Sequence, residues 1–174
     1  QSVLCLELAS SVAEKSGDLK LSDFFKKKVT EETGHDQWAI EDLESLGLKP
    51  GEIVPEELSS AMQELIQFLF ETIENNPRLY FCYLTLAEYI TVLLAPKLLE
   101  NLEKHCNIPK TSMTAVAKHE EADKDHTEDD FIAIEQFVEG KVSSQEFFDI
   151  YDISMEYVER FFYDIAHREH PCLH

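Results

Sequence analysis

Glycine is scarce in this chain, five in 174 residues, and so are basic residues, fifteen Lys and Arg against thirty-five Asp and Glu. There is one Trp, and the four cysteines form no C-x-x-C pair. Each shortage excludes something. No Gly-rich phosphate loop and no GxSxG nucleophile elbow can be found. Gly17, Gly47, Gly51 and Gly140 fall where helical patterns stop, which points to an all-α protein. A formal charge of −20 repels phosphate backbones, so nucleic acid and anionic membrane are poor partners. Cys5, Cys82, Cys106 and Cys172 read as reduced thiols of a cytoplasmic protein, not as a disulfide frame or a zinc knuckle. No basic-then-apolar leader pattern opens the sequence. The longest apolar stretch, Tyr80 to Leu99, is interrupted by Glu88 and Pro96 and reads as a core helix, not a membrane span.

What the chain does have is a hydrophobic share of 44% and eleven Phe, enough to build a core despite the charge. Without repeats or a low-complexity linker, residues 1–174 form one expected domain. Helical periodicity predicts a first helix from Val3 to Glu14 and a second from Ser22 to Leu46. A third opens at Pro55, and a fourth runs from Pro77 to His105 with a kink at Pro96. A fifth stretch runs from Pro109 to Val138, and Thr127 offers a cap at which it could restart. The last helix runs from a capping box at Ser143 to His167.

Three segments carry candidate chemistry. In HEEADKDH, residues 119 to 126, His119, Asp123 and His126 fall within about 60° of one another on a helix. They form either part of a metal site or part of a wet acidic face. In EETGHDQW, Glu32 stands three residues before His35, the carboxylate-to-imidazole spacing of bundle-core iron sites. Gly34 lies inside that helical pattern, which implies a close backbone approach or a kink. Asp42, seven residues after His35, returns to the same face, where it either orients the His35 imidazole or makes a surface ion pair. Glu88 is the lone charge between Leu79 and Pro96. A carboxylate in such a helix binds a metal, stays protonated, or pairs with a core arginine such as Arg78 or Arg160. Three carboxylates and three imidazoles without thiolate suit iron or manganese, and six ligands suit two ions better than one. His105 ends a helix, where the dipole favours a cation, and His167, His170 and His174 lie in the C-terminal tail.

The order E-x-x-H, then a lone Glu in an apolar helix, then H-x-x-x-D-x-x-H resembles the haem-oxygenase-like di-iron oxidases and oxygenases. The phrase EETGHDQWAIEDLESLG looks like the ligand-bearing helix of their CADD-like branch. Over roughly residues 20 to 165, this resemblance implies a haem-oxygenase-like helical bundle. With 31 residues ahead of Glu32, part of the N-terminal helices would be missing. It implies two iron ions held by Glu32, His35, Glu88, His119, Asp123 and His126, on a helix that orders with metal. In some members the first carboxylate lies seven residues before the histidine, which here is Lys28. Glu32 is then the candidate ligand and Glu31 the reserve. It further implies a homodimer, O2 as co-substrate, a small carboxylate-bearing metabolite such as a fatty or amino acid, and an external electron donor. Two rivals remain: a metal-free enzyme on the thiaminase-like or quinone-cofactor-forming version of the bundle, and a non-enzymatic effector of the CADD type.

Overall fold

The computed structural model describes residues 2–49 and 59–167, and among them there is no strand. Seven α-helices follow in order: α1 (Ser2–Lys15), α2 (Leu19–Glu32), α3 (His35–Ser45), α4 (Ser60–Asn75), α5 (Tyr80–Cys106), α6 (Thr114–Phe137) and α7 (Ser144–His167). Short 3-10 turns at Pro77–Leu79 and Lys110–Ser112 lead into α5 and α6. The all-α expectation is met. Pro55, Cys172, His170 and His174 lie outside the described residues.

Helix α1 packs along α2, and small residues make the approach close. Ser10 and Ser22 hydroxyls meet at 3.0 Å in a buried hydrogen bond beside Ala9 and Ala13. The turn between them places Gly17 at φ 84°, and the Asp18 side chain then accepts from the Leu21 amide at 3.2 Å to cap α2. Helix α5 packs along α6, α4 and α5 lie against α7, and α3 rests on α6. The core joins Leu6 of α1, Leu21 and Phe25 of α2, Leu65 and Ile73 of α4, Phe81 and Leu84 of α5, and Phe137 of α6. Its centre is aromatic: Phe24 and Phe81 ring centroids are 5.3 Å apart, and Phe25 and Phe81 5.4 Å.

Two helix expectations are corrected. The stretch from Ser22 to Leu46 is two helices, broken at Gly34, whose φ of 93° is left-handed and closed to an α-helix interior. A Cβ built there would meet nothing within 4 Å, so the glycine serves the backbone turn and not a close approach. Conversely, α6 runs unbroken through His126. Thr127 caps no restart, because its hydroxyl donates to the Asp123 carbonyl at 2.6 Å within the helix.

Among the described residues, one helical span, Pro77–Cys106, is long and apolar enough to cross a membrane. Its first half is core: Phe81, Cys82, Leu84 and Leu86 are buried, whereas Leu93, Leu94 and Leu98 of its second half are about half exposed.

Candidate metal centre

The break at Gly34 builds the first part of the site. Glu32 is the last residue of α2 and His35 the first of α3, and the turn between them brings Glu32 Oε2 to 3.6 Å from His35 Nδ1. His119, on the second turn of α6, stands against them, its ring centroid 4.9 Å from that of His35 and nearly perpendicular to it. One ligand atom from each of Glu32, His35 and His119 lies within 4.8 Å of the others, a spacing that can hold one ion. Trp38, one turn after His35, stacks on its imidazole at 4.0 Å and meets His119 edge-on at 5.3 Å.

Both imidazoles are set up to bind. His119 Nδ1–H donates to the Ala115 carbonyl at 2.8 Å, which leaves Nε2 with its lone pair free. Burial holds the His35 pKa below its ordinary value, so the ring stays neutral near pH 7. His35 Nδ1 is buried with no hydrogen-bond partner, an arrangement that native proteins rarely leave without a purpose.

Asp42 does not orient His35. Its two carboxylate oxygens accept from the Thr114 hydroxyl and the Ala115 amide, each at 2.7 Å. It therefore caps α6 from α3. Burial works against its charge, but these two bonds outweigh it and hold the Asp42 carboxyl below the usual carboxylate range. The residue fixes the start of α6 one turn before His119 and so positions that ligand through the helix.

The other three expected ligands form an adjoining cluster. His126 Nδ1 stands 3.5 Å from Asp123 and 4.0 Å from Glu88, and His126 Nε2 is 4.0 Å from Glu31. The approach to Asp123 raises the His126 pKa, although burial opposes it. Glu88 pairs with neither Arg78 nor Arg160, whose partners are Asp18 and Glu64. Its partner is Lys28. The ammonium lies 3.1 Å from Glu88 Oε1 and 2.9 Å from Asp130 Oδ1, with the lysine side chain only 1% exposed. Burial opposes the charge of Lys28, yet the two carboxylates prevail and raise its pKa. Burial and the neighbouring Asp130 push Glu88 up to about 9. Burial raises the Asp130 pKa as well, although Lys28 opposes it, so the ammonium is held between two buried carboxyl groups, of which Glu88 keeps its proton near neutral pH.

Lys28, Asp130 and Trp38 were not singled out as functional from the sequence. A signal for two of them existed in helical register. Lys28 lies one turn before Glu32 on the face of α2 that reaches the site, and Asp130 extends the 119, 123, 126 row of α6 by one more turn.

A mostly apolar cavity of about 450 Å³ opens on the centre. Glu32, Glu88, His119 and Asp123 line it together with Leu65, Leu69, Tyr80, Leu84 and Phe161. Among the described residues, no lysine or arginine lines it. The donor set was expected to hold two ions. One ion fits Glu32, His35 and His119; at Glu88 one oxygen, Oε1, already faces an ammonium, and Oε2 is buried without a hydrogen-bond partner. No protein-family model matches the chain, and no curated protein or solved structure shows significant similarity to it.

Proposed function

We propose that this chain is a non-haem iron oxidase or oxygenase that uses O2 on a small carboxylate-bearing metabolite with an apolar body. The observation that carries the reading is the meeting of two neutral-capable imidazoles and one carboxylate, Glu32, His35 and His119, at the edge of an apolar cavity. Two histidines and one carboxylate with open positions are the donor set of ferrous oxygenases. The all-helical architecture is compatible with the haem-oxygenase-like bundle to which the sequence bears resemblance.

Within this reading the residues divide the task. Glu32, His35 and His119 hold the iron, which when bound supplies one-electron chemistry towards O2. Trp38 packs on both imidazoles and restrains their planes. Asp42 keeps α6 in register. The cavity buries the apolar body of the substrate and excludes water from the reacting carbon. Among the described residues, the charged side chains that line the cavity are the carboxyl groups Glu32, Glu88 and Asp123, with no lysine or arginine to receive a substrate carboxylate. Substrate affinity is therefore expected to depend on the metal. An external donor restores the reduced state between turnovers.

The test is O2 uptake by anaerobically ferrous-loaded protein against a panel of medium-chain fatty acids and apolar amino acids. Substrate-dependent uptake, abolished in Glu32→Ala and His119→Ala, is the expected outcome. Tight zinc binding with no uptake for any acid contradicts it. The Lys28–Glu88–Asp130 cluster gives one observation in favour of a metal-free enzyme on the same bundle, since it provides Glu88 Oε1 with a cationic partner without a metal. Metal content after reconstitution separates the two.

A further inference from the structure

We infer that the centre is built for one metal ion, and that the Lys28 ammonium, held against one of the two Glu88 oxygens, puts a positive charge where a second ion would stand. The inference rests on the iron reading above and deepens it by giving the reason why the second ion expected from the sequence is not held.

A second ion would have to draw on Glu88, Asp123 and His126. Glu88 Oε1 already receives the ammonium at 3.1 Å, and the same nitrogen is 2.9 Å from Asp130. Glu88 Oε2 and His126 Nδ1 are buried without a hydrogen-bond partner, so what bars an ion there is the ammonium's charge and not a lack of donor atoms. Lys28 has no easy exit. Its side chain is 1% exposed, it projects from the interior of α2, and Asp130 behind it is fully buried. A lysine in water could swing away from an arriving cation, but this one would have to carry its charge through the packed core. An ion at Glu88 would therefore stand beside a fixed like charge. Among the described residues, the ion pairs and ring contacts of Glu32 and His35 are with each other, His119 and Trp38, and none is with a lysine or arginine; Lys118 lies on the Trp38 ring, 4.6 Å from its centroid. The asymmetry follows from a single position on α2. Lys28 and Glu32 are one turn apart, so one helix presents a ligand to the first ion and a cation in place of the second.

The experiment is anaerobic titration of the full chain with Mn(II), read by bound-metal stoichiometry and by EPR. Wild type is expected to bind one equivalent, with an isolated-ion spectrum that integrates to one spin per chain. Lys28→Glu, which exchanges the ammonium for a further carboxylate, is expected to bind two and to show exchange coupling between them. Lys28→Met removes only the charge and serves where the glutamate variant does not fold; a second, weaker equivalent is expected there too. Two equivalents with a coupled spectrum in wild type overturn the one-ion inference and leave the iron reading standing. No bound metal in wild type overturns both. A Lys28→Met protein that folds and still binds a single equivalent contradicts the role given to Lys28.

Discussion

Without the Lys28 ammonium, Glu88 and Asp130 would face each other across a buried space with no counter-ion. Removing one partner of a buried charge cluster typically costs about 3 to 5 kcal/mol. Lys28→Met should therefore lower the stability of the metal-free chain by about 3 kcal/mol in urea denaturation, and a loss under about 1 kcal/mol would count against the cluster as drawn. Coulomb's law shows why the same charge matters to the metal. A divalent ion about 4 Å from the lysine nitrogen, at an effective dielectric of about 20, meets a repulsion of about 8 kcal/mol before its ligands are counted. Glu88 gives a pH signature. In the folded chain it keeps its proton up to about pH 9, whereas its ordinary pKa is 4.5. Between those values the folded state binds the extra proton, so its contribution is fully present below pH 4.5 and fades as pH rises to about 9. Relative to Glu88→Gln, metal-free wild type should lose melting temperature from pH 5 to 9; a constant difference between the two would contradict the protonated Glu88. The sequence made Glu88 conspicuous as a lone charge in an apolar helix. It did not disclose its partner, because Lys28 sits sixty residues earlier and looks like any solvated lysine in KKK.

At the scale of the helices, the site depends on where α2 stops. Continued periodicity from Phe24 to Leu43 reads as a single helix, and only the left-handed backbone of Gly34 turns it into two. Gly34→Ala meets no steric obstacle, but it strains that turn by about 1 kcal/mol and favours a straight helix that would carry His35 away from Glu32. Metal affinity should fall at least tenfold while circular dichroism stays helical; unchanged affinity would show that the break does not build the site. Asp42 acts in the same way on α6. It caps Thr114 and Ala115, and Asp42→Ala is expected to cost about 1 kcal/mol and to weaken metal binding through the displaced His119. Full metal affinity in a destabilised Asp42→Ala protein would deny it that positioning role. Its place seven residues after His35 suggested a partner for the imidazole. The α3–α6 contact that redirected it is tertiary, and no spacing within one segment encodes it.

For the whole molecule, the aromatic core of α2, α5 and α6 holds the metal-bearing helices at fixed separation. Phe81 is fully buried and touches Phe24, Phe25 and Phe137, so Phe81→Ala should cost about 3 to 5 kcal/mol in equilibrium unfolding. The all-helical class was legible from the scarcity of glycine and the unbroken 3.6-residue periodicity. The convergence of residues 32, 35 and 119 was foreshadowed by motif spacing, yet their grouping apart from residues 88, 123 and 126 depends on packing between α2, α5 and α6. The central claim concerns one place: the gap between Glu32, His35 and His119. Crystals grown anaerobically with ferrous iron and measured at the iron absorption edge test it directly. The account predicts a single anomalous peak within coordination distance of those three side chains. A peak at Glu88 instead, or no ordered iron near His35 and His119, would contradict it.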